Sequence, residues 1–212
     1  MTEMTTVELF VDPACPWAWI TSRWLVEVER VRPVRIAWRL FDLAEINRNT
    51  DDDRMAASHS AGERALRVLV QARRDAGTEA MARLYWELGE AWHERAEPLG
   101  ELETLERCYA AAGLDASHVG AALDDETTLE ELLDEHRDAV DAGAFGVPTL
   151  RLADAPGWFG PILDTRVTGA GAGELWDDVV PLLRRGHFFE LKRERTGKAD
   201  VGRYRLAQAA TR

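Results

Sequence analysis

A short apolar run, Val7 to Val11, ends in the turn Asp12-Pro13-Ala14-Cys15-Pro16-Trp17-Ala18-Trp19 and leads at once into an amphipathic segment. The run reads as a strand, and Ile20, Trp24, Val28 and Val31 give the next segment an apolar stripe of helical period. Pro16 suits the first helical position, where its missing N–H would have had no intrahelical partner. Cys15 then stands at the helix cap, with the free N–H groups of Trp17 and Ala18 pointing back at its sulfur. A helix terminus favours an anion by roughly 0.3–2 kcal/mol, enough to bring a thiol from about 8.5 toward about 7. The plainer reading is a small apolar residue in a strand-helix turn, since free cysteine is often buried. Two prolines and two tryptophans crowding the turn favour a reactive thiolate.

Arg32-Pro33 interrupts the helix, and Val34–Leu40 alternates as a half-buried strand, so the first forty residues form a βαβ unit with parallel strands. The strand signal then disappears as far as Gly143. Asp51-Asp52-Asp53 reads as a solvated turn or helix start, and Leu66, Leu69 and Val70 mark a helix. Thr78 can cap another, with Met81, Leu84, Tyr85, Leu88 and Trp92 on one stripe. Helices are predicted from Leu102 to a stop at Gly113, over Ser117–Leu123, and through Leu129, Leu132, Leu133, His136 and Val140. Strand character returns in Val147–Leu152. The turn Asp154–Gly157 and Trp158-Phe159-Gly160 complete a hairpin. A last helix spans Ala172–Arg185, with Pro181 expected to kink or shorten it, and the end of the chain reads as a frayed tail.

These elements add up to an α/β, thioredoxin-like fold with a large all-helical insertion. Residues 1–43 and 144–195 would form the thioredoxin-like domain, 44–143 the helical lid and 196–212 a C-terminal tail. The balance of 26 Lys and Arg against 38 Asp and Glu argues against nucleic acid or an anionic membrane as partner. No bilayer-length apolar run and no secretory signal is present, and two distant cysteines make no disulfide scaffold, so a reducing cytoplasm is expected.

Cys15-Pro16-Trp17 after a strand resembles the active-site turn of DsbA-like thioredoxin-fold oxidoreductases, and Val147-Pro148-Thr149 resembles their cis-proline loop. More narrowly, Phe10–Leu25, Trp158–Leu163 and Gly186–Thr196 are similar to stretches of the actinobacterial mycothiol-dependent reductases of nitroreductase type. The resemblance implies Cys15 as nucleophile and Pro16, Trp17 and Ala18 as the active-site turn, with Trp17 as a pocket wall. Val147, cis-Pro148, Asn47 and Trp19 would contact the thiol or substrate. For Asn47, a turn or helix-cap role competes. The resemblance also implies mycothiol as a low-molecular-weight thiol co-substrate with no tightly bound cofactor and no metal. The partner would be a disulfide or electrophilic small molecule, and a homodimer stays open.

The departure is Ala18, where most relatives carry the second cysteine of Cys-Pro-Trp-Cys. An alanine there fits a natural monothiol enzyme and equally a substituted trap. Cys108 lies on the apolar stripe of an inserted helix and reads as a buried structural thiol. Glu90-x-x-His93 has the spacing of a di-iron ligand pair, but no second such pair exists among the five histidines, so an exposed helix face is expected. His136 reads as a satisfied core or lid histidine. Two other functions compete with the oxidoreductase. One is a kappa-class glutathione transferase or hydroxychromene-carboxylate isomerase, which activates the sulfur of a bound thiol. The other is a thioredoxin-fold protein that only binds.

Overall fold

The structure, a computed structural model, describes residues 4–50, 55–153 and 155–209. Asp51-Asp52-Asp53 and Asp154 lie outside the described residues. Strand β1 (Thr5–Val11), helix α1 (Pro16–Val31) and strand β2 (Val34–Leu40) form the expected βαβ unit, paired in parallel from Thr5↔Val34 to Val11↔Leu40. On the other side of β1, β3 (Thr149–Leu152) runs antiparallel, and β4 (Trp158–Phe159) pairs antiparallel with β3. The sheet order is β2-β1-β3-β4. A central position explains the near-continuous apolar run of β1, whose Val7, Leu9 and Val11 are all buried.

Helix α1 packs on α7 (Gly169–Leu183): Trp24 donates its indole N–H to Ala172 O (3.1 Å) and its ring lies 6.2 Å from that of Trp176. Pro181 sits inside α7 just before its end, so few backbone bonds follow the one it cannot make. The insertion contains α2 (Leu43–Asn47), α3 (Ala56–Gly89), a π-helical turn Glu90–Glu94, α4 (Leu102–Ala111), α5 (His118–Asp124) and α6 (Glu126–Asp141). Helix α3 is broken at Ala76 and Gly77, the latter at φ +80°, just before Thr78. Side chains of α6 bond the end of β2: Glu135 Oε1 accepts the Leu40 N–H (3.0 Å) and His136 Nδ1 accepts the Asp42 N–H (3.2 Å).

Residues 199–209, expected to fray, are folded. Ala199 and Val201 are buried, and α8 (Gly202–Ala209) lies on the π-turn with the Gly202 N–H donated to Glu94 Oε2 (3.0 Å). The segment is polar on average: Ala199 and Val201 are covered where the backbone meets the protein, while Leu206 on the outer face of α8 is exposed. Among the described residues no helix is long and apolar enough to cross a membrane.

Candidate active site

Strand β1 delivers Cys15 to the N-cap of α1, as the Pro16 position requires. Its Sγ accepts the Ala18 N–H (3.5 Å) and, as a thiol, donates to Val147 O (3.5 Å). The Val147–Pro148 peptide bond is cis, and Pro148 is buried beside the sulfur's acceptor. A second cis bond joins Gly160 to Pro161, and Pro161 O accepts the Thr21 hydroxyl of α1 (2.7 Å). Cys15 and the cis-proline loop therefore meet, although 132 positions separate Cys15 from Val147.

The charge state of that sulfur is corrected by the structure. Cys15 is only 8% exposed, and burial pushes its thiol up to about 11. The Ala18 and Trp17 N–H groups pull it down, but desolvation outweighs them and buried Asp12 adds to the rise. The helix N-terminus was legible in the sequence; the depth at which the fold places it was not. The free protein rests with Cys15 as a thiol.

Of the other expected residues, Pro16 and Trp17 are half-exposed at the rim, and Ala18 is fully buried. Trp19, expected among the substrate contacts, is 1% exposed and packed against His93, Trp86 and Tyr85, with its indole N–H donated to Glu94 (2.9 Å). It is a core residue of this wall and presents no face to a ligand. Asn47 closes α2, its side-chain amide donating to Leu43 O (2.8 Å). Cys108 is fully buried and free, as its place on the apolar stripe suggested.

Three residues around the loop take roles that their local sequence does not indicate. Asp12, fully buried, accepts the Ala14 N–H (2.7 Å) and the Leu43 N–H (3.0 Å), tying the cysteine loop to the start of α2. His93, expected on an exposed face, is fully buried and donates its Nε2–H to Pro13 O (2.8 Å). Burial and the nearby Arg203 lower the imidazole to about 3, so it stays neutral. Its neighbour Trp92 donates to Ala14 O (3.4 Å). Consecutive residues of the π-turn thus hold consecutive carbonyls before Cys15. The register that allows this comes from the wider turn, closed by Arg95 N–H to Glu90 O (3.1 Å).

Burial pushes the Asp12 carboxyl up to about 7, against which its two backbone donors work. A folded value above the unfolded one gives stability that is complete below about pH 4 and is lost as pH rises toward 7. Relative to Asp12→Asn, the wild type should therefore lose up to about 4 kcal/mol between those limits. Urea unfolding of both proteins across that range checks it; parallel pH profiles would contradict it.

The family model for Rv2466c-like proteins, described as mycothiol-dependent nitroreductase Rv2466c, matches residues 14–193. The uncharacterized protein Rv2286c of Mycobacterium tuberculosis is 34% identical over 199 residues, covering 93% of this chain and 85% of the relative. Among solved structures, the probable DsbA oxidoreductase SCO1869 of Streptomyces coelicolor aligns with TM-score 0.59 at 21% identity, over 93% of this chain and 98% of its own. A 2-hydroxychromene-2-carboxylate isomerase aligns with TM-score 0.57 at 17% identity, over 98% and 99%. The cytosolic disulfide reductase DsbM of Pseudomonas aeruginosa with GSH gives 0.51 at 17%, over 70% and 89%. At such identities the structures establish the thioredoxin-like, DsbA-like fold. The family match spans most of the chain and includes both the cysteine turn and the proline loop: the protein belongs to the Rv2466c-like mycothiol-dependent nitroreductase family and is a thiol-dependent oxidoreductase.

Proposed function

We propose that Cys15 works as a single nucleophile that carries substrate and a low-molecular-weight thiol in turn, with mycothiol as that thiol. The observation that carries this reading is the position of Sγ, 3.5 Å from the Ala18 N–H and 3.5 Å from Val147 O beside cis-Pro148. When Cys15 gives its proton to a base from solvent, the Ala18 and Trp17 N–H groups are already aimed at the sulfur. The thiolate attacks one sulfur of a disulfide R–S–S–R′, forming Cys15–S–S–R and releasing R′–S⁻. A second thiolate then attacks the mixed disulfide, freeing the Cys15 thiolate and leaving as a disulfide with R. With alanine at 18, that second thiolate comes from solution.

In this reading Val147 and Pro148 supply backbone contacts to the bound thiol, Trp17 forms the rim, and Trp19 and Asn47 position α1 and α2. The sheet domain carries the sulfur and the 44–143 insertion covers it, in a cytoplasmic enzyme with no tightly bound cofactor. The test is intact mass after incubation with oxidised mycothiol. One mycothiol adduct is expected on the wild type and none on Cys15→Ser; no adduct on either protein ends the proposal.

One observation favours a second reading: burial raises the Cys15 thiol to about 11. In a transferase or isomerase, the reacting sulfur belongs to the bound thiol and Cys15 only polarises it. Cys15→Ser would then keep most of the turnover, whereas the first reading requires nearly all to be lost.

A further inference from the structure

The family match ends at residue 193, yet the chain beyond it returns to the cysteine loop. Arg195 places its guanidinium 5.5 Å over the Trp17 ring, and Arg203 of α8 lies 4.2 Å over the ring of Trp92. Trp92 is the residue whose indole N–H holds Ala14 O, immediately before Cys15. Gly202 fixes the approach: its N–H bonds Glu94, and a Cβ there would fall 2.8 Å from the Glu94 Cα, so only a glycine lets α8 lie this close to the π-turn. The Arg203 guanidinium donates from Nη2 to the Tyr204 hydroxyl (3.1 Å), while its Nε is buried without a partner.

We infer that Arg203 is a positioning residue for the Cys15 reaction: stacked on Trp92 and held there by α8, it sets a positive charge against the loop that carries the sulfur. The inference rests on Cys15 being the reacting group. The groups that face Cys15 electrostatically are Asp12 from the loop, Tyr85 from α3, and Arg203 from α8; neutral His93 lies under the same loop. Burial is the largest influence on the Cys15 thiol and raises it. The Ala18 and Trp17 N–H groups and the Arg203 guanidinium lower it, and Asp12 raises it further. Arg203 is thus the side-chain cation that offsets the buried acid. A half-buried guanidinium suits this place, being weakly hydrated, permanently charged and able to stack on an indole face.

The experiment is the pH dependence of Cys15 alkylation by iodoacetamide in the full-length protein, read at the peptide level from about pH 7 to about pH 12 so that the midpoints fall inside the range. Arg203→Met and Arg203→Gln should move the midpoint up by about half a unit or more. At a fixed pH below the midpoint the rate then falls about threefold. Arg203→Lys should restore most of the shift. Arg205→Met, with the same loss of charge on the same helix, should leave the midpoint in place. A midpoint unmoved in the neutral Arg203 variants overturns the inference, even where thermal stability drops, since a purely structural arginine would give that pattern. An equal shift in Arg205→Met overturns it too. If wild-type Cys15 resists alkylation over the whole range, the nucleophilic reading itself falls. That result is distinct from an unmoved midpoint.

Discussion

Ala18→Cys is expected to shorten the lifetime of a Cys15 mixed disulfide by at least about 10³-fold at millimolar thiol. Residue 18 is the third of α1 and its N–H already reaches Cys15 Sγ (3.5 Å), so a side chain there is a neighbour of the sulfur in the first helical turn. Two cysteines at this spacing meet the Cα separation a disulfide needs. A well-oriented internal thiol acts at an effective concentration up to about 10⁵ M or more, whereas a thiol in solution competes at its own concentration. The estimate of 10³ is conservative because Ala18 is fully buried and the new sulfur must find room among packed neighbours. The measurement is time-resolved intact mass: form the adduct on both proteins, remove excess disulfide and follow its decay. In Ala18→Cys the adduct should be replaced by a species two hydrogens lighter than the reduced protein. Equal lifetimes would show that residue 18 cannot reach the reacting sulfur.

How much of this was legible depended on whether the physics was local. Val7–Val11, Pro16 and the 34–40 alternation were enough for β1, α1 and β2, because strand period and proline geometry act within a few residues. Gly113 and Gly143 lie just past the ends of α4 and α6 at φ +82° and +95°, where their lack of a Cβ is needed. The pairing of Cys15 with cis-Pro148 was reached only through family resemblance, since nothing between them fixes the distance. The π-turn carries no composition of its own; what selects it is the tertiary demand that Trp92 and His93 reach adjacent carbonyls. Helix α8 was hidden because Ala199 and Val201 are too few to raise the mean hydropathy of a charged segment. The ionisation of Cys15 is not legible locally for a related reason. The N–H groups that stabilise a thiolate lie in its own helix, while the burial that opposes it comes from the whole fold.

Gly89→Ala should destabilise the protein by about 2 kcal/mol, a fall in Tm of roughly 4–8 °C for a chain of this size. Two effects oppose each other. Replacing glycine by alanine in a helix gains up to about 1 kcal/mol. Against that, a Cβ on Gly89 would lie 2.7 Å from Trp19 Cη2 and closer still to Cζ3 and Cε3. The obstacle is a ring 1% exposed, wedged between His93 and Trp86 with the Arg23 guanidinium 4.2 Å over it, so it cannot swing aside as a flexible chain end would. Overpacking of this kind costs about 1–3 kcal/mol and occasionally more, so it outweighs the helix gain. Gly120→Ala supplies the contrast: no atom stands within 4 Å of its Cβ, and there the helix gain should appear alone as a rise in Tm. The clash is assigned to the ring by a double variant. Trp19→Leu should cost less in the Gly89→Ala background than in the wild type, a non-additivity in unfolding free energy. Strict additivity would mean that Gly89 is required by something other than the tryptophan behind the cysteine loop.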